Sequence, residues 1–193
     1  MALLACAPRR ALVALVFACA LLAPQLGAQD APIAVQVPLL VKVLAFDRLA
    51  QARSTDRGAI GVLYQGRNRG SVLARDEVID ALHELRLPDG SPVCCVAIDL
   101  DGERDLAAAL ARSGVGALYV TPLRAVEIAT VAAASRKASV TTLTGSRRYV
   151  EEGLAVGIGL RGDRPRILIN LEASKLEGAE FTAHLLGMAE VMR

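Results

Sequence analysis

The chain contains no tryptophan, three tyrosines, three phenylalanines and two histidines. So few aromatics argue against base stacking on single-stranded nucleic acid. The two histidines exclude most metal and triad chemistry, because neither has a further ligand or a nucleophile spaced near it. His83-Glu84 opens like a zinc-protease helix, but the second histidine that this motif needs four residues on is replaced by Leu87. His184 stands beside Leu185 and reads as a boundary imidazole. Four cysteines in 193 residues are too few for a disulfide scaffold. An excess of one charge is also missing: 22 basic side chains face 20 acidic ones, which excludes a nucleic-acid binder driven by bulk charge. At 53% hydrophobic residues the chain is no disordered tail. It is also long enough to bury a core without staples. No catalytic constellation, cofactor motif or metal motif emerges.

Residues 1–28 are a different material from the rest. Arg9 and Arg10 precede the uninterrupted apolar run from Ala11 to Ala23, and Leu26-Gly27-Ala28 places a small residue at a cleavage position before Gln29-Asp30. This is the pattern of a secretory signal peptide. The apolar run is shorter than the roughly 20 residues that cross a bilayer, so no stable membrane insertion is expected after cleavage. Cys19 lacks a good lipidation box, and the residues after Arg9-Arg10 do not favour twin-arginine export. The segment holds those two arginines and no acidic residue, so residues 29–193 are formally neutral and keep only Cys94 and Cys95. An exported, periplasmic product is expected.

Along residues 29–193 the spacing predicts a first helix over 37–52, opening after Pro38. Four near-continuous apolar runs follow, at 59–64, 93–98, 117–120 and 139–144, as strands covered on both faces require. Helical spacing separates them, at Val78, Ile79, Leu82 and Leu85, then Leu106 to Leu110, then Leu123 to Val131. Four strand-helix alternations predict a parallel sheet with right-handed crossovers. Residues 155–160 and 166–170 flank the turn composition of residues 161–165 and should pair as a hairpin at or near a sheet edge. A closing helix is expected from about Ser174, carrying Phe181, Leu185, Met188 and Met192. The fold class is α/β, a single-domain three-layer sandwich of Rossmann-like type, with a mostly parallel sheet, a C-terminal β-hairpin and a closing helix.

Gly157, Gly159 and Gly162 match the letters of the dinucleotide fingerprint, but they lead into a second strand where the fingerprint needs a helix N-terminus. Along a strand, Gly157 and Gly159 leave one face as bare backbone, suited to close approach by a helix or a partner chain. Cys94 and Cys95 are consecutive on a strand expected to be buried, so they point to opposite faces and cannot bond to each other without strain. They read as two buried thiols or as a redox or intermolecular pair. Arg147, Arg148, Arg161, Arg164 and Arg166 gather late in the chain among Glu151, Glu152 and Asp163. They form either an internally paired rim or a surface for an anionic ligand or acidic partner.

Four stretches of the C-terminal third, Val140 to Thr144 with Tyr149 to Gly153, Gly157-Ile158-Gly159-Leu160, Arg166 to Leu171, and Phe181 to Met188, resemble the YfiR/HmsC-like family. Leu40 to Asp47 and Ile60 to Tyr64 fit its first helix and first strand less tightly. The aromatic end of that helix is replaced by Phe46-Asp47-Arg48, and the family's spaced redox cysteines are absent apart from Cys94-Cys95, which speaks against a disulfide switch. The resemblance implies a non-enzymatic periplasmic regulator, capable of forming a homodimer, that binds the sensory domain of an inner-membrane signalling protein such as a diguanylate cyclase. The output it would restrain is cyclic di-GMP control of biofilm and exopolysaccharide. Arg147, Arg148, Tyr149, Gly157, Gly159 and Asn170 are the candidate contact residues, with Asn170 first of all hydrogen-bonding the turn that it ends. A rival reading is a single-lobe small-ligand-binding protein, using strand ends near Thr121-Pro122 and Thr144-Gly145-Ser146.

Overall fold

In the computed structural model, residues 30–49, 59–86 and 90–192 are described. The signal peptide expected at 1–28 lies outside them. Helix α1 (Ile33–Leu44) is followed by β1 (Ile60–Tyr64), α2 (Arg69–His83), β2 (Cys95–Asp99), α3 (Leu106–Ser113), β3 (Ala117–Val120), α4 (Ile128–Ala138) and β4 (Thr141–Thr144). Then come α5 (Arg147–Glu151), β5 (Val156–Arg161), β6 (Arg164–Asn170), α6 (Leu171–Leu176), α7 (Ala183–Met188) and β7 (Glu190–Met192). The seven strands form one sheet in the order β2-β1-β3-β4-β5-β6-β7. The first five run parallel, β6 turns back antiparallel to β5, and β7 lies parallel to β6. The α/β three-layer sandwich expected from the alternation is therefore present.

Two apolar layers cover the two sheet faces. On one, Val37, Leu40 and Val43 of α1, Val78 and Leu82 of α2 and Leu185 of α7 bury against Ile60, Val62, Tyr119, Leu143 and Ile158. On the other, Leu106 and Leu110 of α3 and Ile128, Val131 and Ala132 of α4 pack on Leu63, Ile98, Leu118 and Val120. Each buried Leu or Ile side chain contributes roughly 1.5–3 kcal/mol relative to exposure. The chain supplies its own stops and starts. Asn68 Oδ1 accepts from Gly70 N at 3.1 Å ahead of α2, Asp105 Oδ1 accepts from Ala108 N at 3.0 Å ahead of α3, and Gly114 ends α3 at φ +67°.

Four sequence expectations need correction. Helix α1 starts at Ile33 and continues through Pro38. Burial of its apolar stripe outweighs the hydrogen bond that a proline removes from a helix interior. Leu123 and Val126 precede α4, which begins at Ile128, because Ala125 takes a left-handed turn at φ +54°. The closing helix is two short helices and a strand: Gly178 at φ +83° breaks the helix, Thr182 caps a new one, and Glu190–Met192 pairs with β6. The hairpin turn is only Gly162-Asp163, so Arg161 and Arg164 belong to the strands.

Candidate functional site

The βα loops after β1 and β3, which could open a crevice at the carboxyl ends of the sheet, are stitched together. The strand order places the change of winding direction between β1 and β3, where ligands of such sheets commonly sit. Here the Gln65 side chain spans the gap: Arg124 N donates to its Oε1 at 2.6 Å, and its Nε2 donates to Arg124 O at 3.2 Å. Beneath it, Thr121 Oγ1 donates to Leu63 O at 2.8 Å and shares a 2.7 Å hydrogen bond with Ser71 Oγ. The Gly66 and Arg67 amides, which could have cradled an anion, donate to Asp99 Oδ1 at 2.9 Å and Asp101 Oδ2 at 2.8 Å.

The open space lies one strand further along. A cleft of about 460 Å³ sits over the ends of β3 and β4, between the start of α1, the flank of α2 and the loop that leads into α5. Its floor is polar and fixed. Tyr119 is buried on β3, and its hydroxyl donates to Gln36 Oε1 at 2.6 Å, while Gln36 Nε2 donates to Ala31 O. Gly145 packs directly on the Gln36 side chain, where a Cβ would have no room. Thr144 Oγ1 accepts from Ser146 N at 3.2 Å, which sets the turn that carries Ser146 to the wall. On the far side, Tyr149 is fixed by Leu123, whose N donates to the phenol oxygen at 2.8 Å. Asp30 and Glu77 stand on one side of the cleft and Arg148 on the other.

Charge at this site is unevenly free. Arg148 Nε holds Glu152 at 2.6 Å, so that guanidinium is already partnered. Burial raises the Asp30 carboxyl above its ordinary range. The Tyr119 hydroxyl is pushed well above the usual tyrosine value, first by burial and then by the Asp30 and Glu77 carboxylates. Tyr119 is thus held neutral, a hydrogen-bonding group with no reactive charge. No group of three or more His, Cys, Asp or Glu among the described residues could hold a metal ion.

The structure brings Arg148 and Tyr149 to this cleft together with Thr144, Gly145, Ser146 and Pro122, the strand-end residues expected from the rival reading. It places the other candidates elsewhere. Arg147 pairs with Glu190 at 2.8 Å, tying α5 to β7. The bare glycine face is covered by the chain itself: a Cβ at Gly157 would meet Val150 of α5 at 2.5 Å, and one at Gly159 would meet Leu168 at 3.0 Å. Asn170 caps α6, accepting from Ala173 N at 3.0 Å and donating to Val150 O at 3.1 Å. The cysteines are not buried. Strand β2 is the sheet edge, so Cys94 is exposed, and Cys95 is half-buried with Sγ 3.5 Å from His83 Nε2. Burial raises the Cys95 thiol, and Cys94 adds to the effect.

Asp30, Gln36, Glu77 and Tyr119 were missed in the sequence. A lone glutamine in the apolar run Ile33 to Leu44 was the available signal, and starting the helix after Pro38 hid it.

No family model matches the chain, and no curated protein does. Solved structures match its fold. One is an ABC domain in complex with L-Trp from Streptococcus pneumoniae, at TM-score 0.60 and 14% identity, covering 83% of this chain and 62% of that one. A conserved domain protein from Vibrio cholerae matches at 0.58 and 13%, covering 86% and 62%. A substrate-binding protein with adhesive properties from Clostridium difficile, in its ligand-free open form, matches at 0.58 and 16%, covering 86% and 61%. The chain thus spans about three fifths of the length of these structures, and at such identity the likeness establishes the fold alone. Among the described residues no helix is long and apolar enough to cross a membrane.

Proposed function

We propose that the domain binds a small polar molecule in the cleft over β3 and β4. The observation that carries this reading is an open volume of about 460 Å³, lined by hydroxyl, amide and carboxylate groups from several separate chain segments. A structure of the same fold bound to L-Trp and another called a substrate-binding protein support it. The test is a thermal-shift screen of amino acids and small anions against the protein and a Ser146→Trp variant. Ser146 makes no side-chain capping bond, so the substitution blocks the cleft at little cost to α5. A compound at 100 times its Kd adds about 2.7 kcal/mol, or roughly 5–10 °C in a domain of this size. At least one compound should stabilise the wild type by that much and leave the variant unmoved. Equal shifts in both proteins, or none in either, would remove the reading.

A second reading is export to the periplasm and restraint of an inner-membrane signalling protein, as the YfiR/HmsC resemblance implies. Three exposed arginines on the β5–β6 hairpin that form no ion pair among the described residues favour a protein-contact role of this kind.

A further inference from the structure

The late arginines divide into two sets. Arg147 and Arg148 are held by Glu190, Glu151 and Glu152. Arg161, Arg164 and Arg166 are all exposed, and among the described residues no ion pair joins them to an acid. Their register is unusual. Arg161 lies directly opposite Arg164 in the antiparallel ladder, and Arg166 follows two residues on. Directly opposed residues share a face, as do residues two apart on a strand, so all three guanidinium groups project from one side of the hairpin. Like charges placed directly opposite destabilise a hairpin. The nearest acid across that face, Glu190 opposite Leu168, is already held by Arg147 at 2.8 Å. Next to them the face is low: Gly159 is opposite Arg166, and Leu168 leans over it.

The same stretch is an open sheet edge. Strand β7 pairs only with Leu168, Ile169 and Asn170, so among the described residues no strand lies on the outer side of Arg164 to Ile167. Asn170 N donates inward to Ala155 O, and by alternation along the ladder Pro165 and Ile167 turn their backbone groups outward. Pro165 has no N–H to give, so a full ladder cannot form there and charge must supply most of the recognition. Arg164 and Arg166 are about 7 Å apart, which matches alternate side chains of an extended strand. At the tip stand Gly162 and the exposed Asp163, with no apolar wedge, so the arginines present a lateral face and a bilayer would meet the acid first.

We propose that this face docks an extended acidic segment of another protein, with carboxylates on alternate residues laid beside Arg164, Arg166 and Arg161. The assignment does not depend on whether the cleft holds a ligand. The test uses two fluorescent ten-residue peptides of equal composition, one alternating Glu and Thr and one with the five Glu in a block. Anisotropy is read against the purified protein, an R161Q/R164Q/R166Q variant and an R112Q control. The alternating peptide should bind at least threefold tighter than the block peptide, weaken tenfold or more in the triple variant and on raising salt from about 50 to 300 mM, and keep its affinity in R112Q. The triple variant should melt no lower than the wild type. No peptide binding, equal affinity for both peptides, or unchanged affinity in the triple variant would overturn the proposal. So would a lower melting temperature, which would make the arginines structural, or arginine-dependent binding to phosphatidylglycerol vesicles in place of the peptide.

Discussion

Tyr119 carries the most consequential single side chain of the cleft, since it joins β3 to α1 through Gln36 and faces two carboxylates. Its proton is held more tightly in the folded than in the unfolded chain. The contribution is therefore complete below the unfolded value of about 10 and is lost as pH rises beyond it. Tyr119→Phe should cost about 1 kcal/mol at neutral pH through the lost hydrogen bond. That deficit should shrink between about pH 9 and pH 11, as read from urea melts at both values; a constant deficit would refute the assignment. Glu177 is a second buried group, one that no pattern in the sequence singles out. Its carboxylate accepts from Thr142 N at 2.7 Å and from Thr142 Oγ1 at 2.8 Å, clamping the loop after α6 to β4. Glu177→Leu strands a buried backbone donor and should cost roughly 1–3 kcal/mol in the same melts.

At the level of elements, the glycines of β5 serve packing inside the chain. Gly157→Val would drive side-chain atoms into Val150 and should lower stability by about 1–3 kcal/mol, the usual cost of overpacking, with no change of solution mass. Had the bare face been for a partner, the mass would change and the melt would not. Asn170→Ala should cost about 1 kcal/mol by uncapping α6. The strands were legible because runs such as Ala117 to Val120 are apolar on both faces and short, a pattern that only a doubly covered strand explains. Chain ends of helices were less so. Pro38 looked like a start because proline favours first turns, while the true signals at the closing segment, Gly178 and Thr182, were hidden within an apolar periodicity that ran across them. The cleft was half legible: Thr144, Gly145 and Ser146 follow from strand polarity, whereas Asp30 and Glu77 reach it through helix placement that no local pattern encodes.

Across the whole molecule, order should fall from the centre of the sheet outward. Strands β3 and β4 are flanked on both sides and buried on both faces, while β2 and β7 are edges with exposed residues. Amide exchange should be slowest at Leu118 to Val120 and Thr142 to Leu143 and fastest in β7. The edge position of β2 also means that Cys94 should react with a thiol reagent in the folded protein, ahead of Cys95. The same outward view gives Gln65 a different meaning. Its amide sits where a doubly wound sheet parts, holding one backbone donor and one backbone acceptor of Arg124 as a guest molecule would. Shortened to alanine, that side chain would leave behind a ready-made berth of its own size, and the lost stability should be restored by millimolar acetamide more than by acetate. The chain, in that sense, carries a built-in occupant at the place where its fold would otherwise take in a stranger.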